Sequence, residues 1–399
     1  MTVQYILDWL SLLGRWLHLI VGIAWIGASF YFVWLDDHLE PPPDPDDIAK
    51  GVAGELWAVH GGGFYNPKKY RVAPGTLPAT LHWFKWEAYW TWISGFFLLC
   101  VVYYASADLY LIDKSVADIG RAAAIAIGLA SLVLGWIVYD LLCKSPLGAR
   151  PRALAAALSV YLVAAAWGLC HVFGGRGAYI HFGAMLGTIM VANVFFVIMP
   201  GQRELVAACS EGRAPDPEPA ARAKQRSVHN TYITLPVLFT MISNHYAMAY
   251  GHAWNWLILL AMTFAGAAIR TYFVARHHPP ASPAPAIAGV VALLIVAVAI
   301  APTPNPATAN DDAAQAVRVA AIVKQRCATC HSATPTQAGF AAAPKGVMLD
   351  TPEQLKLQAA RILQQTTTRA MPLGNLTAMT DEERVIVVDW AGREATRAP

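Results

Sequence analysis

The stretch PAIAGVVALLIVAVAIAPTPNP, residues 285–306, divides the chain in two. Its first part is an Ala/Val/Ile/Leu run bounded by Pro285 and Pro302, and proline suits helix edges because it lacks an N–H. A run of this kind reads as a membrane-crossing helix, which needs roughly 20 mostly apolar residues. Pro302-Thr303-Pro304-Asn305-Pro306 then reads as a stiff linker, and the chain beyond it is much more polar. Working back toward the N-terminus, seven further apolar runs occur near 12–35, 82–105, 121–143, 152–173, 178–199, 229–250 and 254–275. The expected fold is therefore all-α. It comprises an eight-helix transmembrane bundle over 1–304, a linker over 305–311 and a small soluble domain over 312–399.

Composition agrees with a lipid-exposed surface. Hydrophobic residues make up 56% of the 399 residues and charged residues 14%, where a soluble domain carries about a quarter charged residues. The net charge of +3 is too small to point to nucleic acid, and no nucleic-acid motif is present. Lys and Arg gather in alternate loops: Lys68, Lys69 and Arg71; Lys144, Arg150 and Arg152; Arg203 to Arg226; Arg276. Cytoplasmic loops collect such residues. The chain is thus expected to be a multi-pass protein of the bacterial inner membrane, with both termini and the C-terminal domain in the periplasm. No basic segment precedes the first apolar run and no small-residue cleavage site follows it, so it reads as a retained helix. Cys100, Cys143, Cys170 and Cys209 read as ordinary packing, with no disulfide framework.

Cys327-Ala328-Thr329-Cys330-His331 is a C-x-x-C-H motif. Two thiols at this spacing can add to the vinyl groups of a haem, and the adjacent imidazole lies under the iron. In bacteria such attachment occurs outside the inner membrane, in agreement with the charge-based topology. Residues 312–326 read as an amphipathic helix leading into the motif. Thr351-Pro352-Glu353-Gln354 reads as an N-cap, an N1 proline and a capping-box Gln, and Thr380-Asp381-Glu382-Glu383 opens a closing helix in the same way. A small class I-like cytochrome c domain around one haem c is expected, with His331 as one iron ligand. Met371, in a loop between two helices and before Pro372, is the expected sixth ligand; a thioether there raises the haem potential. Met348 is close to the binding motif, and Met379 abuts the last helix.

Ionisable residues inside membrane spans are costly and default to functional candidates. His18, His171, His181 and His245 all fall toward the periplasmic side. One such His alone reads as a helix–helix hydrogen bond, whereas four at similar depth suggest His–His ligation of a haem b. His18 and His245 form the first pair, with His171 and His181 as substitutes. A bilayer core of about 30 Å is too thick for one efficient tunnelling step, so a centre at intermediate depth would serve a cytoplasmic-side substrate. A substrate oxidised near the outer face would need none. On the cytoplasmic side, His60-Gly61-Gly62-Gly63 reads either as backbone N–H groups turned toward an anion or as a flexible turn. His82 and Glu87 open the second span, and Arg226, His229 and Asn230 open the sixth. Basic loops and interfacial tryptophans are ordinary membrane features, but Glu87 is a carboxylate about one turn into a span.

Four segments carry a resemblance. Glu55-Leu56-Trp57-Ala58-Val59-His60-Gly61-Gly62-Gly63-Phe64-Tyr65, His82-Trp83-Phe84-Lys85-Trp86-Glu87-Ala88-Tyr89-Trp90, Arg226-Ser227-Val228-His229-Asn230 and Ser243-Asn244-His245-Tyr246 closely resemble the bacterial membrane-bound, cytochrome-c-linked urate oxidase (urate hydroxylase) family. The resemblance extends over essentially the whole chain. It implies oxidation of urate to 5-hydroxyisourate, with electrons passed to the haem c and on to a respiratory acceptor such as a cytochrome oxidase. More distantly, Trp16-Leu17-His18 with Ala24-Trp25-Ile26-Gly27 is similar to the first helix of copper-resistance-D and membrane protoporphyrinogen-oxidase type proteins. There a first-helix His is associated with haem b, which favours His18 as a ligand. Urate is a planar anion that needs cationic and hydrogen-bonding partners in an apolar slot, and its oxidation needs a base such as His or Glu. Arg226 and Asn230 are the expected urate-orienting residues. His229 or Glu87 is expected in proton transfer, with His60 and His82 as further candidates. The competing enzyme reading is a quinol:cytochrome c oxidoreductase with a slot open to lipid. A bare membrane anchor for a haem domain would have no need of the histidines and Glu87.

Overall fold

The computed structural model describes residues 3–277, 280–301 and 312–397; the expected linker at 305–311 lies outside the described residues. Helix α1 (Val3–Asp37) is followed by α2 (Pro45–Ala49) and four short strands, β1 (Val52–Glu55), β2 (Ala58–His60), β3 (Gly63–Tyr65) and β4 (Lys68–Tyr70). Helix α3 (Trp86–Leu98) runs into a π-helical turn at Leu99–Tyr104, then α4 (Ala107–Tyr110), α5 (Arg121–Lys144) and α6 (Pro151–Val172) follow. Helix α7 (Gly175–Asn193) continues through a second π-helical turn, Val194–Ile198, into α8 (Met199–Ser210). The membrane part closes with α9 (Pro217–Ser243), α10 (Ala247–Tyr250), α11 (Asn255–Ala275) and α12 (Ala284–Ala299).

Each expected span coincides with helix. Among the described residues, five helical segments are long and apolar enough to cross a membrane: α1, α5, α6, α7 with α8, and α11. Helix α12 is a shorter apolar helix. Helix α3 is interrupted by its π-turn, and the first three turns of α9 are polar. Helix α7 is the hub of the bundle, flanked by α5, α6 and α9; its Tyr179, His181, Phe182 and Asn193 are fully buried. Small residues let helix backbones approach in such bundles. At Gly128 of α5 a Cβ would lie 2.6 Å from His181 Nε2, so the ring occupies the space that the missing side chain leaves.

Helix ends differ from the apolar runs. Helix α1 starts nine residues before the run, at Val3. Helix α9 starts at Pro217, with Asp216 capping the amide of Glu218 at 3.0 Å, and ends at Ser243. An apolar run marks the part of a helix in lipid, and hydrogen-bonded turns extend beyond it. His245 therefore lies in the turn after α9, exposed, rather than within a helix.

The first loop is not all coil. Strands β1 to β4 form one two-stranded ribbon with a common register: Glu55 opposite Lys68, Ala58 opposite Tyr65, His60 opposite Gly63. Gly61 and Gly62 both have positive φ (59° and 81°), the combination a tight two-residue hairpin turn requires. The ribbon divides at its middle because Pro67 has no N–H to donate. The Asn66 side-chain amide bonds the Leu56 carbonyl instead, at 3.3 Å, while Leu56 N–H still reaches the Pro67 carbonyl at 3.2 Å. The expectation of an all-α fold is thus corrected locally.

The C-terminal part is a compact set of α13 (Asp312–Arg326), α14 (Pro352–Leu357), α15 (Ala359–Thr367) and α16 (Asp381–Arg397). Val319, Val323, Leu349, Leu355, Met379, Val387 and Trp390 form its core. Both expected capping boxes form. Thr351 Oγ1 accepts from Gln354 N–H while Gln354 Oε1 accepts from Thr351 N–H. Thr380 and Glu383 exchange the same pair of bonds. Glu383 also receives a two-pronged ion pair from Arg326, with Nε to Oε2 and Nη2 to Oε1 both at 3.0 Å.

Candidate functional site

Polar side chains from α5, α7 and α9 converge inside the membrane part, in the half nearer the ribbon. Tyr139 and Asp140 come from α5, Asn193 from the last residue of α7, and Arg226, His229 and Asn230 from one face of α9. Arg226 is 2% exposed. Its Nη2 donates to Asp140 Oδ1 at 2.8 Å and its guanidinium lies 4.9 Å over the Tyr139 ring. Its Nε and Nη1 are buried without a partner. Asp140 is shared with Lys144 at 2.6 Å. Asn193 Nδ2 donates to Tyr139 Oη at 3.1 Å and to Asn230 Oδ1 at 2.9 Å, and Asn230 Nδ2 donates to the Met190 carbonyl at 3.0 Å. The Asn193 carbonyl oxygen is also buried without a partner. Tyr139 Oη and His229 Nδ1 share a 2.7 Å hydrogen bond, which fixes the imidazole and leaves Nε2 free of that contact.

Unpaired buried donors and acceptors are expensive, about 1–3 kcal/mol each and more when charged. Their presence at Arg226 and Asn193 marks a place where polar partners from outside the chain would be stabilising. A π-helical turn follows Asn193 directly, and such turns are frequent at functional sites. The arrangement offers two cationic N–H donors, an amide acceptor and a held imidazole, all set in aromatic and apolar walls.

Of the residues expected from sequence, Arg226, His229 and Asn230 are brought together. His82 and Glu87 form a separate pair at the start of α3, with His82 Nε2 3.8 Å from Glu87 Oε1. Glu87 Oε2 is buried without a partner. Ala88 of α3 packs with Val191 and Val194, so Glu87 enters the bundle at the level of Asn193. His60 is exposed at the ribbon tip, opposite Gly63, and the neighbouring glycines form the hairpin turn rather than an anion cradle. Tyr139, Asp140 and Asn193 were not expected; each is a polar residue within an apolar run, the signal that could have found them. Arg270 was missed likewise. It is 8% exposed, stacked 3.9 Å over Phe30 of α1, with Nε and Nη2 unpartnered.

The four histidines do not share one depth. His18 lies fifteen residues into α1, about 22 Å along the axis at 1.5 Å per residue, whereas His245 lies past the end of α9. His18 Nδ1 shares a 2.9 Å hydrogen bond with Ser94 Oγ of α3, and its ring packs on Gly95. His171 Nδ1 donates to the Trp167 carbonyl at 2.7 Å, with the ring stacked on Trp167. His181 uses both nitrogens: Nδ1 donates to the Gly177 carbonyl at 2.8 Å and Nε2 meets Tyr104 Oη at 3.1 Å. Helix α1 packs on α3, and α9 on α7 and α11. His18 alone combines mid-bundle depth, an oriented ring and an Nε2 outside its hydrogen bond, the state expected of a ligating imidazole.

In the C-terminal part, Cys327 and Cys330 are free thiols. Burial pushes the Cys327 thiol up to about 11 and raises that of Cys330. His331 Nδ1 donates to the Val347 carbonyl at 3.0 Å, so the lone pair for a metal is on Nε2. Met379 is buried in the core at 4% and Met348 is exposed at 40%, whereas Met371 sits half-buried in the loop after α15. The Met371 carbonyl accepts from buried Arg384 Nη1 at 2.8 Å. Two thiols, an imidazole of the required tautomer and an uncommitted thioether are a donor set that fits a covalently held haem.

No curated protein and no solved structure matches the chain. A family model does: the one described as urate oxidase N-terminal matches residues 4–301. The match runs from the first turn of α1 to just past α12 and so takes in the whole polar cluster of α5, α7 and α9. On that match, spanning well over half of the residues, the chain belongs to the urate oxidase N-terminal family.

Proposed function

We propose that the protein is an inner-membrane urate oxidase with eight spans, which binds urate at the Arg226 cluster and passes the electrons to a haem c on its C-terminal domain. The carrying observation is Arg226, almost wholly buried, with two N–H groups lacking a partner. Urate at neutral pH is a planar anion. Arg226 Nε and Nη1 lie on different sides of the guanidinium, and each is free to donate to a separate acceptor of such a molecule, while the Asn193 side-chain carbonyl would accept a ring N–H. Tyr139 and Asp140 hold Arg226, while Asn230 holds Asn193.

The reaction joins urate and water to give 5-hydroxyisourate, two protons and two electrons. His229 Nε2 is the proton acceptor in this reading, with Nδ1 held by Tyr139. In this reading the Glu87–His82 pair at the start of α3 carries protons toward solvent. Cys327, Cys330, His331 and Met371 would hold the haem, which would supply one-electron acceptance and relay to a respiratory acceptor. Inner cluster and outer domain lie on opposite halves of the bundle, so a centre at intermediate depth is part of the proposal. His18 is its candidate protein ligand, as one side of a haem b. The basic loops face the cytoplasm and the C-terminal domain the periplasm.

Urate added to anaerobic membranes containing the full chain should reduce the c-type haem, with 5-hydroxyisourate formed in step. Reduction by a quinol but not by urate would replace this reading with a quinol:cytochrome c oxidoreductase.

A further inference from the structure

The C-terminal domain is seated on the membrane part through two backbone contacts that flank Met371 symmetrically. Three residues before it, the Thr368 carbonyl approaches Gly251, where a Cβ would lie 1.7 Å from that oxygen. Three residues after it, Gly374 faces the loop between α3 and α5, and a Cβ there would lie 2.9 Å from the Ile112 carbonyl and 3.2 Å from that of Leu109. Both contacts need the absence of a side chain. Arg384 ties the intervening loop down from behind, donating to the Thr366 and Met371 carbonyls at 2.9 and 2.8 Å.

Directly beneath the two contacts is an aromatic and cationic platform. Tyr110 adjoins Leu109, and Tyr250 adjoins Gly251. Arg176 lies between them, 5.5 Å over the Tyr110 ring and 5.6 Å over Tyr250, and its Nη2 donates to the Asn244 carbonyl at 3.1 Å. From Tyr110 the ring contacts lead inward to Tyr103 at 6.2 Å and on to His181 at 6.4 Å. Tyr103 and His181 are buried and Tyr110 is partly buried, so these rings run from the bundle interior toward the seam.

We propose that the 368–375 loop is a docking element. It seats the haem-binding domain on the outer face of the membrane part, with its Met371 edge toward the Arg176–Tyr110–Tyr250 platform, and this edge is where electrons enter. The inference rests on the functional reading above. Each transfer moves one electron inward to outward and takes the iron from ferric to ferrous. Two transfers follow each urate, and a one-electron respiratory acceptor reoxidises the iron between them.

The test uses the full-length holoprotein in membranes. Gly251→Val and, separately, Ser115→Trp, which fills the 330 Å³ cleft left in the seam, should leave haem c content, the methionine–iron band and reduction by ascorbate unchanged. Urate-driven reduction should slow about tenfold as the docked fraction falls to about a tenth. In a Ser115→Cys/Leu376→Cys protein, a short bis-maleimide should join the two parts within one chain, and the joined protein should still be reduced by urate. Wild-type rates in both bulky variants, absence of the cross-link, or loss of urate-driven reduction on cross-linking would each overturn the proposal. If urate reduces the haem in no form of the protein, the urate reading fails, and cross-link formation alone decides the seam.

Discussion

Replacing Arg226 separates its structural from its binding role. Arg226→Gln removes the two N–H groups that have no partner in the protein, along with the charge. Each charge-assisted hydrogen bond to a bound anion contributes about 1.5–3 kcal/mol, so losing both removes about 3–6 kcal/mol. At 1.36 kcal/mol per decade, kcat/KM for urate falls about 10²- to 10⁴-fold. The structural cost is smaller than the 3–5 kcal/mol of a broken buried ion pair. Asp140 keeps Lys144 at 2.6 Å, and the Gln amide can still reach it. Arg226→Lys retains the charge and the Asp140 contact but not the several fixed N–H donors of the planar guanidinium, and should fall between wild type and Gln. Stopped-flow reduction of the c-type haem by urate gives the rates, and the split between KM and kcat shows whether ground-state binding or the transition state is affected. A well-inserted Arg226→Gln protein with kcat/KM within a factor of about two of wild type would refute the assignment, since 1.4 kcal/mol is already tenfold. It would leave Arg226 a structural partner of Asp140 and Tyr139.

Further expectations concern the haem sites and the soluble domain. Cys330→Ser or Cys327→Ser should prevent normal haem c attachment and stop sustained urate turnover, checked by a haem stain of denatured protein alongside urate consumption. Met371→Leu roughly conserves volume and should lower the haem potential and abolish the methionine–iron band with the fold retained; an unchanged spectrum would move the ligand elsewhere. A pyridine haemochrome assay should find both b- and c-type haem in wild type, and His18→Ala should remove the b signal alone. Full activity with haem c as the only haem would remove His18 from the relay. Burial raises the Glu383 carboxyl, but the Arg326 hydrogen bonds and the Thr380 amide outweigh it and hold the group below the usual carboxylate range. Its stabilisation is therefore present above the ordinary glutamate pKa and lost as pH falls through the lowered folded value. Glu383→Gln should lower the stability of this partly exposed pair by about 1 kcal/mol at neutral pH, with the difference in Tm closing below about pH 4.

The mostly helical class and the approximate place of the long apolar helices were legible because each is a local signal. A run of twenty apolar residues or a C-x-x-C-H motif declares itself without a partner. Helix ends were not: α9 begins twelve residues before its apolar run because its first turns are polar, and His245 consequently falls outside the helix. The ribbon was concealed by reading Gly61–Gly63 as loose chain, although two adjacent glycines between alternating residues are a hairpin signal. Arg226, His229 and Asn230 could be named from one segment, but Asn193 and Tyr139 could not be joined to them. Which face of α7 or α5 turns inward is decided by packing among helices far apart in sequence. The pairing of His18 with His245 rests on depths inferred from apolar boundaries, and those boundaries put His245 inside a helix that ends at Ser243.

In the proposed relay, electrons cross the seam between the two parts. Among the described residues it shows two close backbone contacts beside a 330 Å³ cleft, where a lasting complex between separate proteins would bury a continuous apolar patch. Covalent attachment explains why so little suffices. Only ten residues separate Ala301 from Asp312, and a short tether holds a partner at an effective concentration on the order of millimolar. A contact with a dissociation constant near 1 mM, about −4 kcal/mol, is then half-formed at equilibrium. A contact of that strength would let the same small domain, in the proposed relay, face the bundle to be reduced and turn away to be oxidised. In the proposed relay, a tighter seam would hold the carrier on its donor and slow the release of every electron after the first.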